Sequence, residues 1–267
     1  MRITLAVDNL AKAELRSEHG LSFLVETDAG SVLFDTGQSN AWFCNLESLG
    51  CETGGIKAVA ISHGHYDHTG GLPKALKELA NARFHAHPAC FEPKYAAGAA
   101  EMRYIGMPSE VVSRKNVFEL NRAPVGILPG VVLSGEIPLR VEVAMSDRFV
   151  TGHDKLTQDT FDDEQCVVAR SNGGAAVLVG CAHKGLENNV LAAMDVAGLE
   201  RIDLLVGGFH LGGAGQDRLE SLAAFLGSVD IGEIACCHCT GMGAYEYLRS
   251  KLGSRVTLAG AGISWQI

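Results

Sequence analysis

Within six residues, His63-Gly64-His65-Tyr66-Asp67-His68, the chain carries three imidazoles and one carboxylate. Neutral imidazole nitrogen and carboxylate oxygen are donors that hold zinc, iron or manganese. The spacing is not that of a helical metal site, where two histidines sit four apart on one face. His63 and His65 are two apart, so extended or turn backbone aims both rings the same way, while Asp67 and His68 can turn toward a second ion. Two divalent metal ions served from one loop are the simplest expectation; the plain alternative is a polar loop whose histidines meet solvent or backbone carbonyls. Six residues cannot close two coordination spheres, so further donors must come from elsewhere. Three candidates follow an apolar run directly: His183 after Val179-Gly180-Cys181-Ala182, His210 after Val206-Gly207-Gly208-Phe209, and His238 after Cys236-Cys237. Each repeats one theme, in which a strand stops, small residues permit close backbone approach, and an imidazole is presented.

The elements that must position these groups are read from apolar runs bounded by Gly, Asp and Asn turns. Strands are expected over 3–7, 22–26, 32–34 and 58–61. Pro73 marks the start of a helix over 74–80, which places the metal-ligand run in a strand-to-helix loop. Between Phe91 and Arg122, Pro93, Gly98, Gly106 and Pro108 break any long element, and short helices are expected within a lid-like insertion reaching to about residue 163. Strands return over 131–133, 139–143, 167–169, 176–179, 202–206, 234–236 and 256–258, with helices over 185–196, 217–226 and 244–251. Periodicity alone gives an α/β class, and 267 residues suit a single domain that buries roughly 75% of its unfolded-chain surface.

With 22 Lys+Arg against 31 Asp+Glu, the net charge of −9 offers no broad basic face, so no nucleic acid partner is expected. The one acidic knot, Asp159 to Glu164, reads as a solvated loop, with a metal cage as the alternative. Asp8 and Asn9 interrupt the first apolar run before signal-peptide length, and no apolar stretch approaches the ~20 residues that span a bilayer. A cytoplasmic protein without a membrane partner is therefore expected, and its eight cysteines are expected to be reduced. Cys236, Cys237 and Cys239 lack a second C-x-x-C partner for a separate zinc knot and read as core thiols flanking His238.

The motif H-x-H-x-D-H at His63 to His68 resembles the signature of the metallo-β-lactamase superfamily. That resemblance implies a four-layer αβ/βα sandwich, two mixed sheets face to face with helices outside. It also implies that His63, His65 and His183 bind one ion and that Asp67, His68 and His238 bind the other. Phe34-Asp35-Thr36-Gly37 resembles the superfamily's first motif, whose Asp supports the metal loop through hydrogen bonds, although an ordinary turn reads the same way. Many members bridge the ions with an Asp in a Gly-Asp turn, where this chain has Gly180-Cys181-Ala182-His183. Either His183 replaces that carboxylate, which is the favoured reading, or Cys181 adds a thiolate, or the ions share only a hydroxide. His210 is a further ligand or a contact to substrate phosphate, and His19, before the second strand, is a substrate contact at the same mouth or a surface turn.

Several strings narrow the likeness: Val7-Asp8-Asn9, Glu18-His19-Gly20-Leu21-Ser22, Gly207-Gly208-Phe209-His210-Leu211 and His238-Cys239-Thr240-Gly241. Together with the motifs above they resemble the 7,8-dihydropterin-6-methyl-4-(β-D-ribofuranosyl)aminobenzene 5′-phosphate synthase branch, a dihydropteroate-synthase-like group. The implied reaction joins a pterin methyl diphosphate to an arylamine with loss of pyrophosphate, a step that two divalent ions assist as Lewis acids. The same cage suits a hydrolase of a phosphoester, lactone or thioester, because a bound water has its pKa lowered toward roughly 7. Asp67 and His210 are the candidate catalytic groups. Zinc is the first expectation for the metal, with iron or manganese as alternatives, and the expected partner is a small-molecule substrate, with no oligomeric state assigned. A reading of another class is a non-catalytic metal-binding or redox-sensing protein built on the cysteines.

Overall fold

Strand residues here are buried on both faces, which requires cover on both. In β1 (Arg2–Val7), β2 (Ser22–Thr27) and β3 (Gly30–Phe34), the side chains of Ile3, Leu5, Phe23, Val25, Val32 and Phe34 join one core, while Leu24 and Leu33 join another. The computed structural model describes residues 1–98, 101–144, 146, 148–152, 154–155 and 157–267. After β3 come α1 (Ala41–Ser48), β4 (Ile56–Ala60), α2 (Tyr66–Thr69), α3 (Leu72–Glu78) and β5 (Arg83–Ala86). Then follow β6 (Lys94–Ala97), β7 (Met102–Tyr104), α4 (Ser109–Val112), β8 (Phe118–Leu120), β9 (Val125–Leu128), β10 (Val131–Leu133), β11 (Phe149–Thr151) and β12 (Thr157–Gln158). The last part holds β13 (Cys166–Ser171), β14 (Gly174–Cys181), α5 (Leu186–Ala197), β15 (Ile202–Gly208), α6 (Gln216–Ser228), β16 (Ile231–Cys237), α7 (Met242–Leu252), β17 (Val256–Leu258) and β18 (Ser264–Gln266).

Two seven-stranded mixed sheets result, ordered β18-β1-β2-β3-β4-β5-β8 and β17-β16-β15-β14-β13-β10-β9. Their inner faces interdigitate through Phe23, Phe34, Leu178, Val206 and their neighbours. Outside the first sheet, Trp42 and Leu46 of α1 and Leu72 and Leu76 of α3 cover Leu24, Leu33 and Val59. Outside the second, α5, α6 and α7 cover Val177, Val179 and Ile234. This is the four-layer αβ/βα arrangement. β3 runs parallel to β4, and β14, β15 and β16 run parallel to one another, so the C-terminal ends of each group open at one edge of their sheet.

Two expected elements differ. No strand forms over 139–143; the Asn188 carboxamide takes its place, accepting from the N–H of Arg140 and Val141 at 2.8 and 2.9 Å and donating to the Val141 carbonyl. A side chain that satisfies these backbone groups removes the need for a sheet partner. In the stretch expected to hold short helices, α4 is the one α-helix among the described residues, and β6 and β7 pair with β11 and β12 as a four-stranded sheet ordered β12-β11-β6-β7. Such short strands carry too little alternation to be read from sequence. The rest of 91–163 is divided between the large sheets, to which β8, β9 and β10 belong.

The acidic knot is neither a solvated loop nor a cage. Asp159 and Asp163 are buried around the ammonium of Lys94 on β6, with Nζ 2.7 Å from Asp159 Oδ2 and 3.1 Å from Asp163 Oδ1. Asp163 also accepts the Gly64 N–H at 2.7 Å, so the small sheet is tied to the histidine loop through a buried charge. The eight cysteines are free, and among the described residues no helix is long and apolar enough to cross a membrane. Because breaking a buried ion pair leaves uncompensated charge, Lys94→Met is expected to lower unfolding stability by about 3–5 kcal/mol, measured by urea denaturation. Adding Asp159→Asn and Asp163→Asn should restore part of that loss.

Candidate metal centre

The histidine loop leaves β4 at the edge where β3 also ends. Gly64 is required there, since a Cβ would lie 2.4 Å from the Cys90 carbonyl oxygen. The His65 carbonyl accepts the N–H groups of His68 and Thr69 and the Thr69 hydroxyl, closing the short turn of α2 that carries Asp67 and His68. His63, His65 and His68 are buried, and so is Asp67.

Asp35, which follows β3, sets the orientation of two of these rings. It is fully buried, with Oδ1 accepting the Ser62 N–H at 2.7 Å and Oδ2 accepting the Ser62 hydroxyl at 2.7 Å and His68 Nδ1 at 2.6 Å. With its hydroxyl proton directed at Asp35, Ser62 Oγ accepts from His63 Nδ1 at 2.9 Å. Both rings therefore carry the proton on Nδ1 and turn Nε2 into the site. Gly180 lets the second sheet approach this network, since a Cβ there would meet Ser62 Oγ at 2.2 Å.

The later donors stand on the strand tips of the second sheet. His183 follows β14 and stacks on Phe161, with ring centroids 4.2 Å apart and an interplanar angle of 4°. His210 follows β15 and His238 follows β16, both with left-handed backbone at φ +50° and +49°. Non-glycine residues held there cost of order 1 kcal/mol each, and such strain gathers at functional sites. His238 is fixed twice, its N–H donating to Asp8 Oδ1 at 2.6 Å and its Nδ1 to Asn9 Oδ1 at 2.9 Å.

All the residues singled out in the sequence converge. Ring centroids of His63, His65 and His183 lie 4.6, 4.9 and 4.9 Å apart, and His68 and His238 lie 5.1 Å apart. Asp67 Oδ2 is 3.2 Å from His19 Nε2, 3.3 Å from His238 Nε2 and 3.8 Å from His68 Nε2. His210 flanks His183 at 4.2 Å, and His19 stands at the half-exposed rim. The buried Nε2 atoms of His63, His65 and His183 and Nδ1 of His210 have no hydrogen-bond partner, while Nε2 of His238 faces the Asp67 carboxylate. Buried nitrogens left unpaired are costly, and a cation among them removes that cost, so the donor set fits divalent metal.

Sequence reasoning missed several contributors. Ser62 and Asn9 act on the rings through hydrogen bonds that only the fold creates. Cys239 lies beside the donors, not in the core, with its sulfur 3.1 Å from that of Cys181 and accepting the His210 N–H at 3.3 Å. Arg103, Arg148 and Phe149 of the small-sheet region line a cavity of about 190 Å3 above the histidines. No motif marks these three residues.

Burial pushes His63 and His183 well below the ordinary histidine range, and burial with the nearby Lys94 charge takes His65 to about 3. For His68 burial acts the same way, but the Asp35 and Asp67 carboxylates outweigh it and raise the ring to about 9. Burial also opposes charge on Asp67, yet His68, His19 and His238 hold it ionised, well below the usual range. Burial pushes the Cys181 thiol up; for Cys239 burial is outweighed by the hydrogen bond from Cys181 and by His238 and His210, which pull it down.

A sequence model of the metallo-β-lactamase superfamily matches residues 16–156, a little over half of the chain. The chain belongs to that superfamily. Over 250 residues it is 31% identical to a Methanocaldococcus jannaschii protein named "Uncharacterized protein MJ0448", covering 92% of this chain and 93% of that one. It is 28% identical over 244 residues to the same organism's 7,8-dihydropterin-6-methyl-4-(β-D-ribofuranosyl)-aminobenzene-5′-phosphate synthase, covering 85% and 83% of the two. The crystal structure of Tm1679, described as a metal-dependent hydrolase of the β-lactamase superfamily, superposes with a TM-score of 0.85 at 32% identity, covering 100% of this chain and 99% of that one.

Membership in the metallo-β-lactamase superfamily implies divalent metal, and the Asp35 network then makes two predictions. Asp35→Asn is expected to weaken metal affinity about 10- to 100-fold, read by competition with a chelating dye. A ligating His68 must shed a proton held up to about pH 9. The His68 proton should therefore contribute about a tenfold rise in affinity per pH unit up to roughly 9, a contribution that ends above it, with this break moved to lower pH in Asp35→Asn.

Proposed function

We propose that the chain is a dinuclear metal-dependent enzyme acting on a small phosphorylated molecule. One observation carries this reading: unpaired imidazole nitrogens and the ionised Asp67 converge beneath a cavity walled by Arg103 and Arg148. In this reading His63, His65 and His183 hold one ion, and Asp67, His68 and His238 hold the other. Zinc is the proposed metal, since nitrogen and oxygen donors with sulfur nearby suit it. Bound there, the ions would supply Lewis acidity toward a phosphate or acyl oxygen.

The chain's own residues supply the rest. Arg103 and Arg148 have no carboxylate partner among the described residues, which leaves both guanidinium groups free for phosphate oxygens. Tyr66 and Phe149 offer flat walls beside them. Asp67, ionised and facing the cavity, can accept a hydrogen bond and orient a reacting group, and His210 and His19 stand where a substrate phosphate would enter.

Transfer with release of pyrophosphate is the first reading, supported by the relative named as a synthase. Hydrolysis is the second, supported by the relative described as a metal-dependent hydrolase. Metal-loaded protein given a pterin methyl diphosphate with an arylamine, beside phosphodiester, lactone and thioester substrates, separates the two. Pyrophosphate release dependent on the amine supports transfer, turnover without it supports hydrolysis, and silence on every substrate with tight metal binding favours a non-catalytic metal or redox protein. His63→Ala with His65→Ala should lower the metal content found by elemental analysis, and unchanged stoichiometry would remove both from the proposed ligands.

A further inference from the structure

Cys181 occupies a place that packing does not explain. Cys90, Cys166, Cys236 and Cys237 belong to the hydrophobic cores, whereas Cys181, only 4% exposed, belongs to none of them. It ends β14 at a register shift between Val179 and Cys181. Regular alternation would send its side chain to the helix-covered face with Val177 and Val179; the shift turns it toward the histidines instead.

There its sulfur is a member of three donor sets. One comprises His63, Cys181 and His183, another His68, Cys181 and His238, and a third Cys181, His210 and Cys239; within each set the donor atoms lie within 4.8 Å of one another, and the first two take their histidines from the two proposed ion sites. Cys181 Sγ is 3.4 Å from His68 Nε2. Two donors on one tetrahedral zinc, with Zn–S about 2.3 Å and Zn–N about 2.0–2.1 Å, stand roughly 3.5 Å apart. We propose that the Cys181 thiolate is a ligand shared by both ions, the sulfur counterpart of the carboxylate that bridges them in many members of the superfamily. This rests on the two-ion reading above.

Ion uptake replaces the S–H bond of Cys181 with sulfur–metal contacts, and the thiol proton passes to bulk water through the open mouth. Cys239, 3.1 Å away and itself held by the His210 N–H, is a positioning residue that keeps the Cys181 sulfur oriented. A thiolate between the ions favours zinc over the hard cations that prefer all-oxygen cages.

The test uses the full chain loaded with cobalt(II), whose thiolate complexes show a sulfur-to-metal charge-transfer band in the near ultraviolet. The band is expected in the wild type, lost in Cys181→Ser and retained in Cys239→Ser. Cys181→Ser should still take up cobalt through its histidines, at affinity reduced by more than the roughly 100-fold that loss of a residue merely hydrogen-bonded to a ligand costs. Cys181→Asp should bind two ions without the band. A band that survives in Cys181→Ser, or two cobalt ions bound by the wild type without it, overturns the proposal and leaves the two-ion reading standing. Failure of the wild type to bind two cobalt ions overturns both.

Discussion

Asp35 has no solvent to turn to, and three hydrogen bonds from two residues absorb its charge: the Ser62 N–H and hydroxyl, and His68 Nδ1. Because Ser62 in turn accepts from His63, one carboxylate fixes the tautomer of two rings that share no backbone contact with it. The same buried charge raises His68 while bare burial lowers His63, so neighbouring imidazoles enter metal chemistry in opposite protonation states. Removing the carboxylate would leave the rings in place but free to present either nitrogen.

The sandwich serves this arrangement by bringing strand tips to one edge. β3 and β4 deliver Asp35 and the histidine loop, and β14, β15 and β16 deliver His183, His210 and His238. Close approach of the two sheets depends on an absent side chain at Gly180, and two left-handed histidines absorb the last change of direction. Hydrophobic packing between the sheets must offset that strain, and the inter-sheet core contains enough large side chains to do so.

Legibility followed physical range. The long parallel strands announced themselves through unbroken apolar runs, and the donor loop through the density of its histidines, because both signals are local. Asp35, His183, His210 and His238 were visible as polar residues at the ends of such runs. Ser62, Asn9 and Cys239 were not, since their roles arise from segments tens to hundreds of residues apart that meet only in the fold. The Asp159 to Glu164 run misled for a related reason: its charges look solvated until Lys94, far earlier in the chain, is placed among them. The unformed strand over 139–143 had the right apolar content but lost its backbone partners to Asn188.

The histidines and Asp67 hang from the two large sheets, whereas Ala96, Arg103, Ile105, Arg148 and Phe149, which complete the cavity, come from the small sheet and the segments beside it. The two parts are joined at the Lys94, Asp159 and Asp163 cluster beneath Gly64. A substitution in the small sheet can therefore reshape one side of the cavity while the histidine loop keeps its place, so long as the buried charge cluster that fastens the sheet beneath Gly64 is retained.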